Sequence, residues 1–111
     1  DVGDLTVAGT TSASNSSGNY GYCVGGSNRT SVIDKWSFSA GGNAADVGDL
    51  ITAATGKFGS DSSSYGYSSG GWAPPVVLNV IEKISFASDG NAVDSTQDLT
   101  IARTLGASSQ I

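Results

Sequence analysis

Histidine and methionine are absent from this 111-residue chain, and there is a single cysteine, Cys23. Without histidine the commonest general base is missing, and with it every Ser-His-Asp or Cys-His nucleophile arrangement. One cysteine cannot close an internal disulfide, so no disulfide framework marks the chain. Cation is also scarce: five Lys and Arg stand against ten Asp and Glu, a net charge of −5. A nucleic-acid partner needs a basic footprint, so that class is excluded. No apolar run approaches the roughly 20 residues of a membrane-spanning helix. No signal-peptide pattern is visible, and a processed chain would show none either.

What is present is glycine (16 residues), much serine, and Val, Ile, Tyr, Phe and Trp in short alternating runs. Those apolar types in that alternation are strand chemistry. The chain also writes itself twice. "DVGDL" at 1–5 returns at 46–50, "YGY" at 20–22 returns at 65–67, and the Gly-Gly of 25–26 returns at 70–71, all shifted by 45 residues. "VIDKWSF" at 32–38 returns as "VIEKISF" at 80–86 and "GNA" at 42–44 returns at 90–92, shifted by 48. A third writing, "DSTQDLTIAR", begins at Asp94. The organisation is therefore repeat 1 (1–45), repeat 2 (46–93) and a partial repeat 3 (94–111), a period that signals repeat architecture.

The patterning predicts strands at Tyr20–Gly25, Val32–Ser39, Tyr65–Gly70 and Val80–Ala87, a further short strand before each "YGY", and almost no helix. Tyr20, Tyr22 and Val24 share one face; Gly21, Cys23 and Gly25 share the other. Such strands suit stacked sheets, the aromatic face of one on the small face of the next. Gly21, Cys23, Gly66 and Ser68 are thus expected to face a neighbouring sheet. The segments 39–44 and 88–92, rich in Gly, Asn and Asp, read as tight turns.

Four short strands per repeat, with Gly-Gly closing one, is the pattern of a β-propeller blade. The order Gly-Gly, variable loop, "VIDKWSF", turn, "DVGDLT", Ser/Gly stretch, "YGY" resembles the kelch repeat, and "LTIAR" (Leu99–Arg103) matches that family's Leu-x-x-x-Arg segment. The resemblance covers the whole chain. It departs where the usual Trp is replaced near Asp46 and Val47, and where the Arg is Gly9 and Ala54 in the first two copies. The wording is also similar to degenerate kelch-like repeats in tail-fibre and other structural proteins of marine bacterial viruses. The resemblance implies an all-β fold of kelch-like propeller blades, about two and a third repeats, completed by a longer parent chain or by oligomerisation. It implies an extracellular or virion setting, and as partners further blades of the same or another copy, or a glycan or cell-surface receptor.

The chemistry points to a non-enzymatic structural or recognition module, with no cofactor, no catalytic residue and no metal site assigned. The alternatives are a carbohydrate-active enzyme or lectin-like propeller using loop carboxylates, and a head-to-tail filament subunit. Carboxylates recur as Asp1/Asp4, Asp46/Asp49 and Asp94/Asp98, and Asp89–Asp98 could be imagined as a calcium loop, but the spacing fits none. Asx residues also cap turns unaided. Cys23 reads as a small apolar filler. Asp34 and Glu82 share one strand position, which favours a structural role. The most distinctive loop is "WAPPVVLN" (72–79), which reads in two ways: Trp72 on the rigid Pro74-Pro75 segment as a recognition loop, or Trp72 and Val76–Leu78 packed over the next blade. Its counterpart, "SNRTS" (27–31), offers Asn28 and Arg29; Asn28 also fits the N-glycosylation pattern.

Overall fold

The computed structural model describes residues 1–27 and 30–104, and among them the regular structure is entirely β. No helix there is long and apolar enough to cross a membrane. The strands are β1 (Ala13–Ser16), β2 (Tyr20–Val24), β3 (Val32–Ser37), β4 (Ala45–Asp49), β5 (Phe58–Asp61), β6 (Tyr65–Ser69), β7 (Trp72–Ala73), β8 (Val76–Val77), β9 (Val80–Ser85) and β10 (Val93–Asp98). They form two four-stranded antiparallel sheets and a small hairpin, β7–β8. The first sheet, here the N-sheet, runs β1-β2-β3-β4; the second, the C-sheet, runs β5-β6-β9-β10.

The four predicted strands and the two strands ahead of each "YGY" are all present. The predicted ends run one or two residues too long. Gly25 and Gly70 sit at φ 67° and 64°, the left-handed region that ends a strand, so β2 and β6 stop before them. The chain turns after Ser37 and after Ser85, with Gly41 (φ 64°) and Asp89 (φ 55°) in equivalent left-handed places.

The sheets pack face to face with one polarity. Paired residues share a face, so Ala13, Tyr22, Val24 and Ile33 line the inner face of the N-sheet, and all four are buried. Opposite lie Gly59, Gly66, Ser68, Glu82 and Ile84 of the C-sheet. Leu50, Ile84 and Ala92 complete one core, with Val47 and Phe86 packed against it. Bulky face thus meets small face, and glycine lets the backbones close in. A Cβ added at Gly59 would lie 2.2 Å from the Ser14 carbonyl oxygen, and one at Gly66 would lie 2.9 Å from Asn15 Cγ. Gly59→Val should therefore cost about 1–3 kcal/mol by overpacking, read from the urea midpoint; an unchanged midpoint would mean that the sheets do not pack this way.

One face assignment needs correction. Gly66 lies against the other sheet and Ser68 shares its buried face, but Gly21 and Cys23 lie on the outer face of the N-sheet. Gly21 is covered instead by its own sheet, because the Trp36 and Phe38 rings fold across it.

The sheets are offset from the sequence repeats by one strand. β4 belongs to the second writing of the phrase yet closes the first sheet. Its other edge takes the turn of the C-sheet: Gly90 N–H donates to Val47 O (3.0 Å), Ala92 N–H to Asp49 O (2.9 Å), and Asp49 N–H to Asn91 Oδ1 (2.9 Å). Residues 1–5 repeat this on the N-sheet. Gly42 N–H donates to Val2 O (2.6 Å), Ala44 N–H to Asp4 O (2.8 Å) and Asp4 N–H to Asn43 Oδ1 (3.0 Å).

Candidate functional site

Besides Asn91, further polar side chains fix the two sheets and the segments that join them. Asn15 Nδ2 reaches across from β1 and donates to Ser60 O (3.0 Å), Asp61 Oδ1 (2.8 Å) and Tyr67 O (3.2 Å). Lys35 Nζ meets Asp89 Oδ2 at 2.7 Å, over the Tyr20 ring at 4.1 Å, while Tyr22 stacks on Phe86 with centroids 5.1 Å apart. Deepest is Glu82. It is fully buried, accepts Ile51 N–H (2.7 Å) and Thr52 N–H (3.1 Å) through Oε1, and pairs with buried Lys57 Nζ at 3.0 Å through Oε2. Its counterpart Asp34 does the same for the first crossing segment, accepting the N–H (2.9 Å) and hydroxyl of Thr6. These carboxylates hold chain crossings. Among the described residues no three or more Cys, Asp or Glu side chains gather as a metal would require.

The Lys35–Asp89 hydrogen bond raises the Lys35 pKa above its ordinary 10.5, and burial, with the nearby Asp89 charge, raises Tyr22 above its ordinary 10.0. Both groups hold their protons more tightly folded than unfolded. Their contribution is complete below about pH 10 and is lost as pH climbs through the raised values. Urea midpoints should be flat from pH 7 to 9.5 and fall above pH 10, and Asp89→Asn should blunt the fall; a midpoint that rose there would contradict the pairing.

Two places among the described residues offer surface for contact beside the exposed Val2 and Phe38 of the N-sheet. One is the β7–β8 hairpin, which the structure builds from the predicted loop: Pro74 and Pro75 make its turn, and Thr55 bridges Trp72 through both backbone groups. Trp72 is 45% exposed, and Val76 and Val77 are exposed beside it. Trp72, Pro74 and Pro75 are thus brought together at one apolar tip. Asn28 and Arg29 lie outside the described residues. The other place is the outer face of the C-sheet, a shallow groove of about 350 Å³ lined by Ser60, Tyr67, Ser69, Ile81, Lys83, Ser95 and Gln97. Sequence reasoning did not single this groove out, although alternation in "YGYSS" marks Tyr65 and Tyr67 as a shared face.

No protein-family model matches this chain, and no curated protein matches it.

Proposed function

We propose that this chain is a non-enzymatic structural or recognition module: consecutive kelch-like propeller blades, of the kind used in a viral tail fibre or other extracellular appendage, with the Trp72–Val77 hairpin as a contact tip. One observation carries the reading. Two four-stranded meanders stack bulky face on small face with their first strands, β1 and β5, side by side, and each is closed by the first strand of the next repeat. Stacked units of this kind draw stability from their neighbours. The carboxylates nearest the core are occupied in holding the chain, which favours a scaffold over a carboxylate-based hydrolase.

The test is to insert a second copy of Asp46–Val93 directly after Val93. A stacking unit should take its place as a further sheet. The strand signal per residue in far-UV circular dichroism should hold, and the urea midpoint should stay or rise. An inserted repeat that is cut rapidly by protease while the rest survives would overturn the reading.

A further inference from the structure

The two outer faces of this molecule carry counterparts of many of the residues that form its own core. On the N-sheet, the counterparts of Val47, Leu50, Ile84, Phe86 and Ala92 are Val2, Leu5, Trp36, Phe38 and Ala44. Val47 and Phe86 pack against the core, whereas Val2 is 80% and Phe38 55% exposed. On the C-sheet, the counterparts of buried Ala13, Tyr22 and Ile33 are Phe58, Tyr67 and Ile81, all only half-buried. The backbone tells the same story. Residues 1–5 dock on the Gly42–Ala44 turn as β4 docks on Gly90–Ala92, but among the described residues no strand pairs with their other edge.

We infer that a second copy of this chain docks head to tail, its N-sheet outer face on the C-sheet outer face of the first, in the arrangement of the internal interface but less closely along β1, where Ser14 stands in the place of Gly59 and the Trp36 ring covers Gly21. The inference rests on reading the sheets as stacking units. In the contact Phe38 of one copy stacks on Tyr67 of the other, as Phe86 does on Tyr22. Both β10 and the second copy's residues 1–5 would fall on the same edge of β9, so one yields. It is β10. Gly3 and Gly48 lie so close to the turns they dock on that an added Cβ would sit 2.1 Å from Gly42 O and 2.3 Å from Gly90 O. The third writing has Ser95, Thr96 and Gln97 there and no glycine, and its pairing with β9 is broken between Asp94 and Asp98. Residues 1–5 therefore replace β10 along β9. The contact is heterologous, so it continues into a ring or a filament.

The polar anchors are not repeated. Gly41 stands where Asp89 does, so Lys83 meets no carboxylate, and Ser60 and Ser16 replace Asn15 and Asp61. The contact is correspondingly weaker than the internal one. Gly41→Asp supplies the missing acid: Gly41 has the left-handed φ that Asp89 also adopts, and a Cβ there meets only ordinary contacts with Val2.

The experiment is light scattering on the whole chain across concentration. The 11.1-kDa protein should form concentration-dependent multiples of that mass. Val2→Asp blocks the head and Tyr67→Asp blocks the tail. Each variant alone should be monomeric with an unchanged strand signal, and an equal mixture should form a heterodimer and stop there, because one free head meets one free tail. Gly41→Asp should tighten assembly roughly tenfold, the low end of what one hydrogen bond to a charged group contributes. Asp4→Cys with Val80→Cys in a Cys23→Ser background should form disulfides between chains, since the equivalent residues Asp49 and Val32 are register partners. A wild-type monomer at all concentrations, or variants that fail to complement, would overturn the inference. The stacking reading is judged separately by Gly59→Val: a loss of stability there with no assembly sinks only the second copy, and no loss sinks the stacking itself.

Discussion

Replacing Lys57 with methionine is expected to destabilise the protein by about 3–5 kcal/mol, the usual result of leaving a buried charge without its partner. Lys57 and Glu82 are both buried, and their ion pair closes at 3.0 Å. Methionine keeps much of the side-chain volume, so packing changes little. Glu82 retains its two backbone donors from Ile51 and Thr52 but loses its cation. Lys57 Nζ also donates to Gly70 O at 3.1 Å, tying the start of the C-sheet to the end of β6. Small domains hold only about 5–15 kcal/mol in total, so Lys57→Met should be largely unfolded in mild urea. The double variant Lys57→Met/Glu82→Gln should recover part of the loss, because the stranded charge is then gone. A shift below about 1 kcal/mol in the single variant, against the 3–5 expected, would show that the carboxylate is satisfied without Lys57.

The second large effect is at Tyr22. Tyr22→Ala should cost about 3–5 kcal/mol, the range for removing a buried aromatic ring from a core. The side chain has no exposed surface, stacks on Phe86 and sits among Ala13, Val24, Ile33 and Ile84 at the joint of both sheets. The loss is therefore shared by the whole molecule. Tyr22→Phe separates ring from hydroxyl. The hydroxyl donates to Asp89 at 3.4 Å, a long bond, and its removal should cost under about 1 kcal/mol. Urea unfolding followed by tryptophan fluorescence reads both. Equal losses in the two variants would place the energy in the hydrogen bond rather than in the stacking.

Strand chemistry was legible because it is local. Alternation in "YGYCV" and "VIEKIS" marked β2 and β9, but not that the left-handed Gly25 and Gly70 end their strands one residue before the expected ends. The repeat also showed that bulky and small faces must meet, which is how Tyr22 and Gly66 are arranged. Three features were not legible. Lys57 has Ser12 as its counterpart, so the repeat gives no sign that position 57 holds the cation for Glu82. Asn15 stands opposite Ser60 in the repeat, and its three acceptors come from β5 and β6, distant in sequence. Trp36 has the buried Ile84 as its counterpart, so the repeat gives no sign of where its ring goes. The ring lies on Gly21 of its own sheet, at the open end of the stack. In each case the deciding partner is set by tertiary contact and not by spacing.

β4 is bonded along both edges, to β3 on one side and to the Gly90–Ala92 turn on the other. Under mechanical load this makes it a splice. Tension drawing the C-sheet away from the N-sheet cannot act on side-chain packing alone, because the load path runs through a backbone segment anchored in both. Rupture must tear the β3–β4 ladder or strip the turn from β4, and either event removes a bonded edge of the other unit. The two sheets should therefore yield to force together, as one extension step, in the manner of a lapped joint rather than of beads on a string.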